Sequence, residues 1–205
     1  MGHASATTST DRTVHSLLRR GGTARSRDFV AKGVARRQLS RMVAAGKVQR
    51  VSRGLYALPA YQGGEHRDLV TVARRAPAAL FCLLTALRLH GLTTQAPFEV
   101  WIAIGSSDHA PRMEHPPLRV VRFGAASLSE GVETRRVEGI QVRLTSVAKT
   151  VADCFKFRNK IGLDVALEAL REARRERKAS ANDLWRFAKI NRVANVMRPY
   201  MEAIA

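Results

Sequence analysis

The feature that most restricts how this chain folds is residues 11–59, where three helical patterns, each closed by glycine, run directly into two short alternating segments. Asp11 or Thr10 is placed to cap a first helix whose Val14, Leu17 and Leu18 fall at helical spacing, and Gly21 and Gly22 end it. Ser26 is placed to cap a second short helix carrying Phe29, Val30 and Ala31, and Gly33 supplies a tight turn. A third helix is expected over residues 34–45, with Leu39, Met42 and Val43 on one face and Arg36, Arg37, Ser40, Arg41 and Ala44 on the other. Gly46 fits the residue just past a helix end. Residues 47–51 then alternate apolar with polar, residues 52–54 turn, and residues 55–58 return as a second strand stopped by Pro59. Three helices followed by a hairpin is the winged helix-turn-helix order, in which the third helix enters the major groove and the wing lies along the backbone.

Charge agrees with that reading. The 205-residue chain carries 35 Lys and Arg against 17 Asp and Glu, a formal net charge of +18. Residues 1–60 hold 12 basic and 2 acidic side chains, so +10 of the excess sits in them and +8 is spread over the remaining 145. Asymmetry of this kind suits a nucleic-acid-binding module joined to a more ordinary domain. Arg36, Arg37 and Arg41 on the open face of the third helix are candidates for base edges or flanking phosphates, since Arg suits bidentate contact with guanine, and Ser40 adds a hydroxyl. Lys47, Arg50 and Arg53 on the wing are candidates for phosphate contacts; about five such contacts give a salt slope of roughly −4 to −5 in log units. Any one of these Arg residues alone could simply solvate a helix surface.

Residues 61–205 read as a second domain. Residues 61–64 suggest a linker, and a helix from residue 65 is ended by Pro77. Residues 79–90 suggest a nearly all-apolar, buried helix closed by Gly91. Strands are expected at residues 98–104, 118–123, 132–137 and 140–144, the last two around a Glu138-Gly139 turn, with antiparallel pairing and an exposed loop at residues 106–117. Ser146 is placed to cap a helix with Val147, Val151, Cys154 and Phe155 as its core stripe. Helices follow at residues 163–174, with a mixed charged run over residues 171–178 continuing that helix, and at residues 182–190 and 193–204. The fold class expected is therefore α+β: a disordered leader over residues 1–10, a winged helix-turn-helix over 11–60, and a mixed helical and antiparallel-sheet domain over 61–205.

Three stretches resemble the AbiEi family of antitoxins. They are the N-terminal winged helix, the run TALRLHGL at residues 85–92 followed by VWIA at 100–103, and the run TSVAKTVADCFKFR at residues 145–158 with Gly162, Glu168, Ala169 and Leu170 beyond it. The resemblance covers about residues 12–190. It implies a transcriptional regulator of a bacterial type IV toxin–antitoxin, abortive-infection locus, acting in antiviral defence. Such a regulator binds double-stranded DNA at promoter inverted repeats through its N-terminal domain and represses its own operon. It also implies a nucleotidyltransferase-like toxin as functional partner, opposed without a stable complex. An orphan DNA-binding regulator without a toxin and a basic RNA-binding protein are the alternatives.

The remaining chemistry is sparse. Lys149 and Asp153, four residues apart, with Arg158 nearby, suggest either a structural ion pair, the favoured reading, or a functional patch of the second domain. His90 before Gly91 suits a helix-end side chain bonded to a carbonyl. Glu99, Asp108 and Glu133 match no nuclease spacing, and Gly46-Lys47 lacks the rest of a phosphate-binding loop, so no catalytic residue is assigned. Cys82 and Cys154, in apolar surroundings, read as reduced core residues, with no metal site and no cofactor expected. The small polar residues that open the sequence lack a signal peptide's apolar segment, and the longest apolar run, residues 78–87, is about half a membrane span, so a cytoplasmic, nucleoid-associated protein is expected. An aromatic content of 6% argues against stacking on RNA bases.

Overall fold

A single apolar cluster organises the N-terminal part: Val14, Leu18, Ala24, Phe29, Val34, Leu39, Met42 and Val48. The computed structural model describes residues 9–59, 66–95 and 97–204. The chain divides into two units, Met1–Arg75 with Arg136–Ile140, and Ala76–Arg135 with Gln141–Ala205. The expected 61–64 linker and most of the expected leader lie outside the described residues.

In the first unit α1 (Ser9–Gly21) is followed by β1 (Thr23–Arg25), α2 (Ser26–Val30), α3 (Arg36–Ala44), β2 (Gln49–Ser52), β3 (Leu55–Ala57) and α4 (Arg67–Arg75). The expected helices and hairpin are present, with local differences; the third helix spans Arg36–Ala44 and the first wing strand Gln49–Ser52, so Lys47 precedes it. α1 begins at Ser9, inside the expected leader. Ser26 is the first helical residue of α2 rather than its cap; the Asp28 carboxylate instead reaches back and accepts the Arg25 backbone N–H at 2.8 Å. β1 was not legible, because three residues are too few to show alternation; it pairs antiparallel with β3, Thr23 opposite Ala57 and Arg25 opposite Leu55, in the sheet order β1-β3-β2. The unit extends to Arg75, because α4 carries a fully enclosed apolar run, Leu69, Val70 and Val72, and its Arg74 lies 4.0 Å from Asp28.

The second unit contains β4 (Leu80–Phe81), α5 (Leu83–His90), β5 (Val100–Gly105), β6 (Leu118–Phe123), α6 (Ala125–Ser129), β7 (Val132–Val137) and β8 (Ile140–Thr145) apart from their Arg136–Ile140 ends, α7 (Val147–Lys156), α8 (Arg158–Ile161), α9 (Leu163–Arg175), α10 (Ala181–Ile190) and α11 (Ala194–Ala203). The fold class is α+β as expected, but the sheet, in the order β6-β5-β4-β8-β7, is mixed rather than antiparallel. β5 runs parallel to β6 and β4 parallel to β8, while β4 and β5 are antiparallel. The physical reason is the loop between β5 and β6. At about a dozen residues it is long enough to carry the chain back along a six-residue strand, which a hairpin turn is not.

The helix expected over residues 79–90 is also corrected: its first part is β4, the central strand, with Leu80 opposite Ala103 on one side and Arg143 on the other. A central strand is buried on both faces and so reads as an unbroken apolar run, like a buried helix. The strand expected from residue 98 starts at Val100, and Phe98 is 80% exposed. α9 ends at Arg175, before the charged run does. Helix α7 lies at the centre of the unit's core, with Val151, Cys154 and Phe155 fully enclosed beside Phe123, Ala169, Leu170 and Leu184. Cys82 and Cys154 are both buried free thiols. No helix among the described residues is long and apolar enough to cross a membrane.

Candidate nucleic-acid interface

Helix α3 is held by one face and open on the other. Its N-cap, Ala35, is extended, and the Gln38 side-chain oxygen accepts the Ala35 backbone N–H at 2.9 Å, satisfying a donor the helix itself leaves free. Leu39 and Met42 are buried and anchor the helix, while Arg36, Arg37, Ser40 and Arg41 are all exposed. The Ser40 hydroxyl donates to the Arg36 carbonyl at 3.1 Å, so its oxygen faces outward as an acceptor. Arg36 and Arg41 line recesses on opposite flanks of α3. Arg36 stands with Arg25, Arg27, Arg53 and Arg75 around a recess of about 260 Å³, and Arg41 stands beside Asp11 and Lys47 in one of about 310 Å³.

The wing is the β2–β3 hairpin. Arg50 is exposed opposite Tyr56, the ladder is irregular between Arg50 and Ser52, and Arg53 and Gly54 form the turn, with Gly54 at φ +75°. This turn is fastened from two sides. The Ser26 backbone N–H donates to the Gly54 carbonyl at 3.0 Å, and Arg75 Nη1 donates to Ser52 Oγ and to the Arg53 carbonyl, each at 3.5 Å. Lys47 differs from the other two wing cations. It precedes β2, and its Nζ is ion-paired with Asp11 Oδ2 at 2.8 Å, tying the end of α3 to α1.

Arg25, Arg27 and Arg75 were not singled out by the sequence, because they lie on β1, α2 and α4 and share no periodicity with α3. The only signal was their charge. Burial, and then the neighbouring cations Arg27 and Arg75, pull the Arg25 guanidinium below its ordinary value, with Asp28 opposing them. An arginine stays charged under such a shift, so the effect reports first the burial of Arg25 and only then its cationic neighbours.

In the second unit the structure brings Lys149 and Asp153 together and leaves Arg158 apart. Lys149 Nζ donates to both Asp153 oxygens at 2.9 and 3.0 Å, and both side chains are wholly enclosed. Asn191 Nδ2 donates to Asp153 Oδ1 at 2.7 Å, Ser127 Oγ donates to Asn191 Oδ1 at 3.1 Å, and the Lys149 ammonium sits 4.6 Å from the centre of the Phe123 ring. Arg158 Nη1 donates to the Phe155 carbonyl at 2.9 Å, satisfying the end of α7. His90 does bond a carbonyl: its Nε2 lies 2.7 Å from the Thr145 oxygen and its Nδ1 3.1 Å from Arg135 Nη2. Since arginine only donates, Nδ1 accepts and Nε2 carries the hydrogen.

Among the described residues no group of three or more His, Cys, Asp or Glu is placed to hold a metal ion. No curated protein matches the chain. The match to a known family spans the winged segment and does not reach the TALRLHGL or TSVAKTVADCFKFR stretches. Residues 11–59 match the family described as "Transcriptional regulator, AbiEi antitoxin", a regulator family rather than an enzyme class.

Proposed function

We propose that the protein is the DNA-binding autorepressor and antitoxin of a type IV toxin–antitoxin system, binding inverted repeats in its own promoter. The observation that carries this reading is the outer face of α3, where Arg36, Arg37, Ser40 and Arg41 stand exposed on a helix whose other face is locked by Leu39 and Met42. Side chains on a helix fixed in this way are preorganised to reach base edges in a major groove. Arg50 and Arg53 on the wing neutralise the flanking phosphates. Lys47 adds to the same field while bracing α3 against α1. The opposed toxin is nucleotidyltransferase-like and is countered without a stable complex. Such a regulator works in the cytoplasm, on the nucleoid.

The test is binding of the full chain to a duplex spanning the inverted repeat upstream of its own gene. Arg36→Ala, Arg37→Ala and Arg41→Ala combined are expected to weaken specific binding by on the order of 100-fold or more, toward the level of random DNA. Arg50→Gln with Arg53→Gln is expected to weaken both duplexes alike and flatten the salt dependence. Unchanged affinity of the α3 variant, with its circular dichroism intact, would overturn the assignment of α3 as the reader. Tighter binding to a structured RNA of equal length would overturn the repressor reading as a whole.

A further inference from the structure

The recess beside Arg36 holds more charge than its surroundings balance. Arg25, Arg27, Arg36, Arg53 and Arg75 line it together with Ser26, Gly54 and Leu55, and among the described residues no carboxylate does. The nearby carboxylate Asp28 is already shared. It accepts the Arg25 N–H at 2.8 Å and lies 3.9 Å from Arg27 Nε and 4.0 Å from Arg74 Nη1. Five arginines from β1, α2, α3, the wing turn and α4 therefore line one recess that no carboxylate of its own lining balances. The frame around them is fixed, through Ser26 N–H to the Gly54 carbonyl and through Arg75 to Ser52 and the Arg53 carbonyl.

Like charges that line one recess repel one another, and an anion bound among them relieves that repulsion. The planar guanidinium fork matches the oxygens of a phosphate group, to which it forms paired charge-assisted hydrogen bonds. A recess of about 260 Å³ admits a phosphate and is small for a larger organic ligand. We propose that this five-arginine recess is a phosphate-binding site, with Arg25, Arg27 and Arg75 as its distinctive members. Its phosphate comes from a DNA backbone gripped between wing and α2, or from a free oligophosphate competing for the same place. The DNA source rests on the reading of the first unit as a DNA-binding module; the free-phosphate source does not.

The decisive variant is the full chain with Arg25→Gln, Arg27→Gln and Arg75→Gln, leaving Arg36 and Arg53 in place. Two measurements are made on it. The first is anisotropy of the upstream duplex and of a random duplex of equal length between 50 and 200 mM salt; the second is the thermal midpoint with and without millimolar sodium tripolyphosphate. If backbone phosphate fills the recess, the log–log salt slope shrinks by about 0.9 for each phosphate no longer neutralised, equally for both duplexes. If free oligophosphate fills it, tripolyphosphate raises the midpoint of the unmodified protein by several degrees and not that of the variant. Unchanged slope together with an unchanged tripolyphosphate response overturns the site. Failure of the unmodified protein to bind any duplex, with tripolyphosphate protection absent from the variant, removes the DNA-binding reading and leaves the recess standing. Arg27→Gln alone, at a side chain 69% exposed, decides the matter should the triple variant unfold: its slope falls by about 0.9, or roughly threefold across that salt range.

Discussion

Removing the Asp153 carboxylate tests the account of the second unit's core most sharply. Asp153 and Lys149 are wholly enclosed, paired at 2.9 and 3.0 Å, and Asp153 also accepts from Asn191 at 2.7 Å. Asp153→Ala strands a buried ammonium, which costs about 3–5 kcal/mol, and leaves the Asn191 amide without its acceptor, another 1–3 kcal/mol that overlaps the first. The cation–aromatic contact with Phe123 at 4.6 Å offsets only part of this. A loss of about 4–5 kcal/mol is expected, a large share of the 5–15 kcal/mol that holds a domain together. It corresponds to a fall in Tm on the order of 10–20 °C for a unit of this size. Trp101 and Trp185 both lie in this unit, so urea unfolding followed by tryptophan fluorescence reads it directly. Replacing both partners, Lys149→Met with Asp153→Leu, removes the stranded charge and is expected to recover stability to within about 1–2 kcal/mol of the parent. A loss below about 1 kcal/mol for Asp153→Ala, or a double variant no more stable than the single one, would refute the closed-pair account.

Two other outcomes follow from local geometry. Gly131 has φ +63°, and a Cβ there would lie 2.5 Å from Phe187 Cζ and 2.9 Å from Lys149 Cδ, so Gly131→Ala is expected to cost about 2–4 kcal/mol by the same urea measurement, combining left-handed strain with overpacking. Burial lowers the affinity of His90 for a proton, the Thr145 carbonyl and Glu133 oppose that, and Arg135 and Lys178 add to it, leaving its pKa below the ordinary histidine value. The unfolded chain therefore takes up a proton near pH 6.5 that the folded chain refuses, so this contribution is fully present above about pH 6.5. It declines as pH falls below that value, by at most about 1.4 kcal/mol per pH unit. Urea midpoints at pH 7.5 and 5.5 are expected to differ less in His90→Gln than in the parent, and equal differences would refute the assignment.

Much of the first unit was readable because its elements are short and punctuated. Gly33 and Gly46 adopt φ +79° and +68°, the conformations that stop α2 and α3, and Leu39 and Met42 repeat at the helical period that sets which face of α3 is buried. Those are local rules, and a local rule leaves its mark in neighbouring residues. The helices α4, α7, α9, α10 and α11 were legible in outline for the same reason.

The recess of arginines was not legible, since Arg25, Arg36, Arg53 and Arg75 come from four elements that only the folding of the chain sets side by side. Nor was the mixed sheet, because Leu80 and Phe81 look the same whether a helix or a doubly covered strand buries them, and strand direction depends on the path of the loop between β5 and β6. Lys149 and Asp153 show the division within a single pair. Their spacing of four residues made an ion pair expected from the sequence alone, whereas its enclosure by Asn191, Ser127 and Phe123 depends on residues remote in the chain. Sequence by itself determined which faces are apolar and where the turns fall, through steric and hydrophobic preferences acting over a few residues. Tertiary structure alone decided which charges are crowded, which are neutralised and which are shut away from water, because those depend on distances between segments that packing sets.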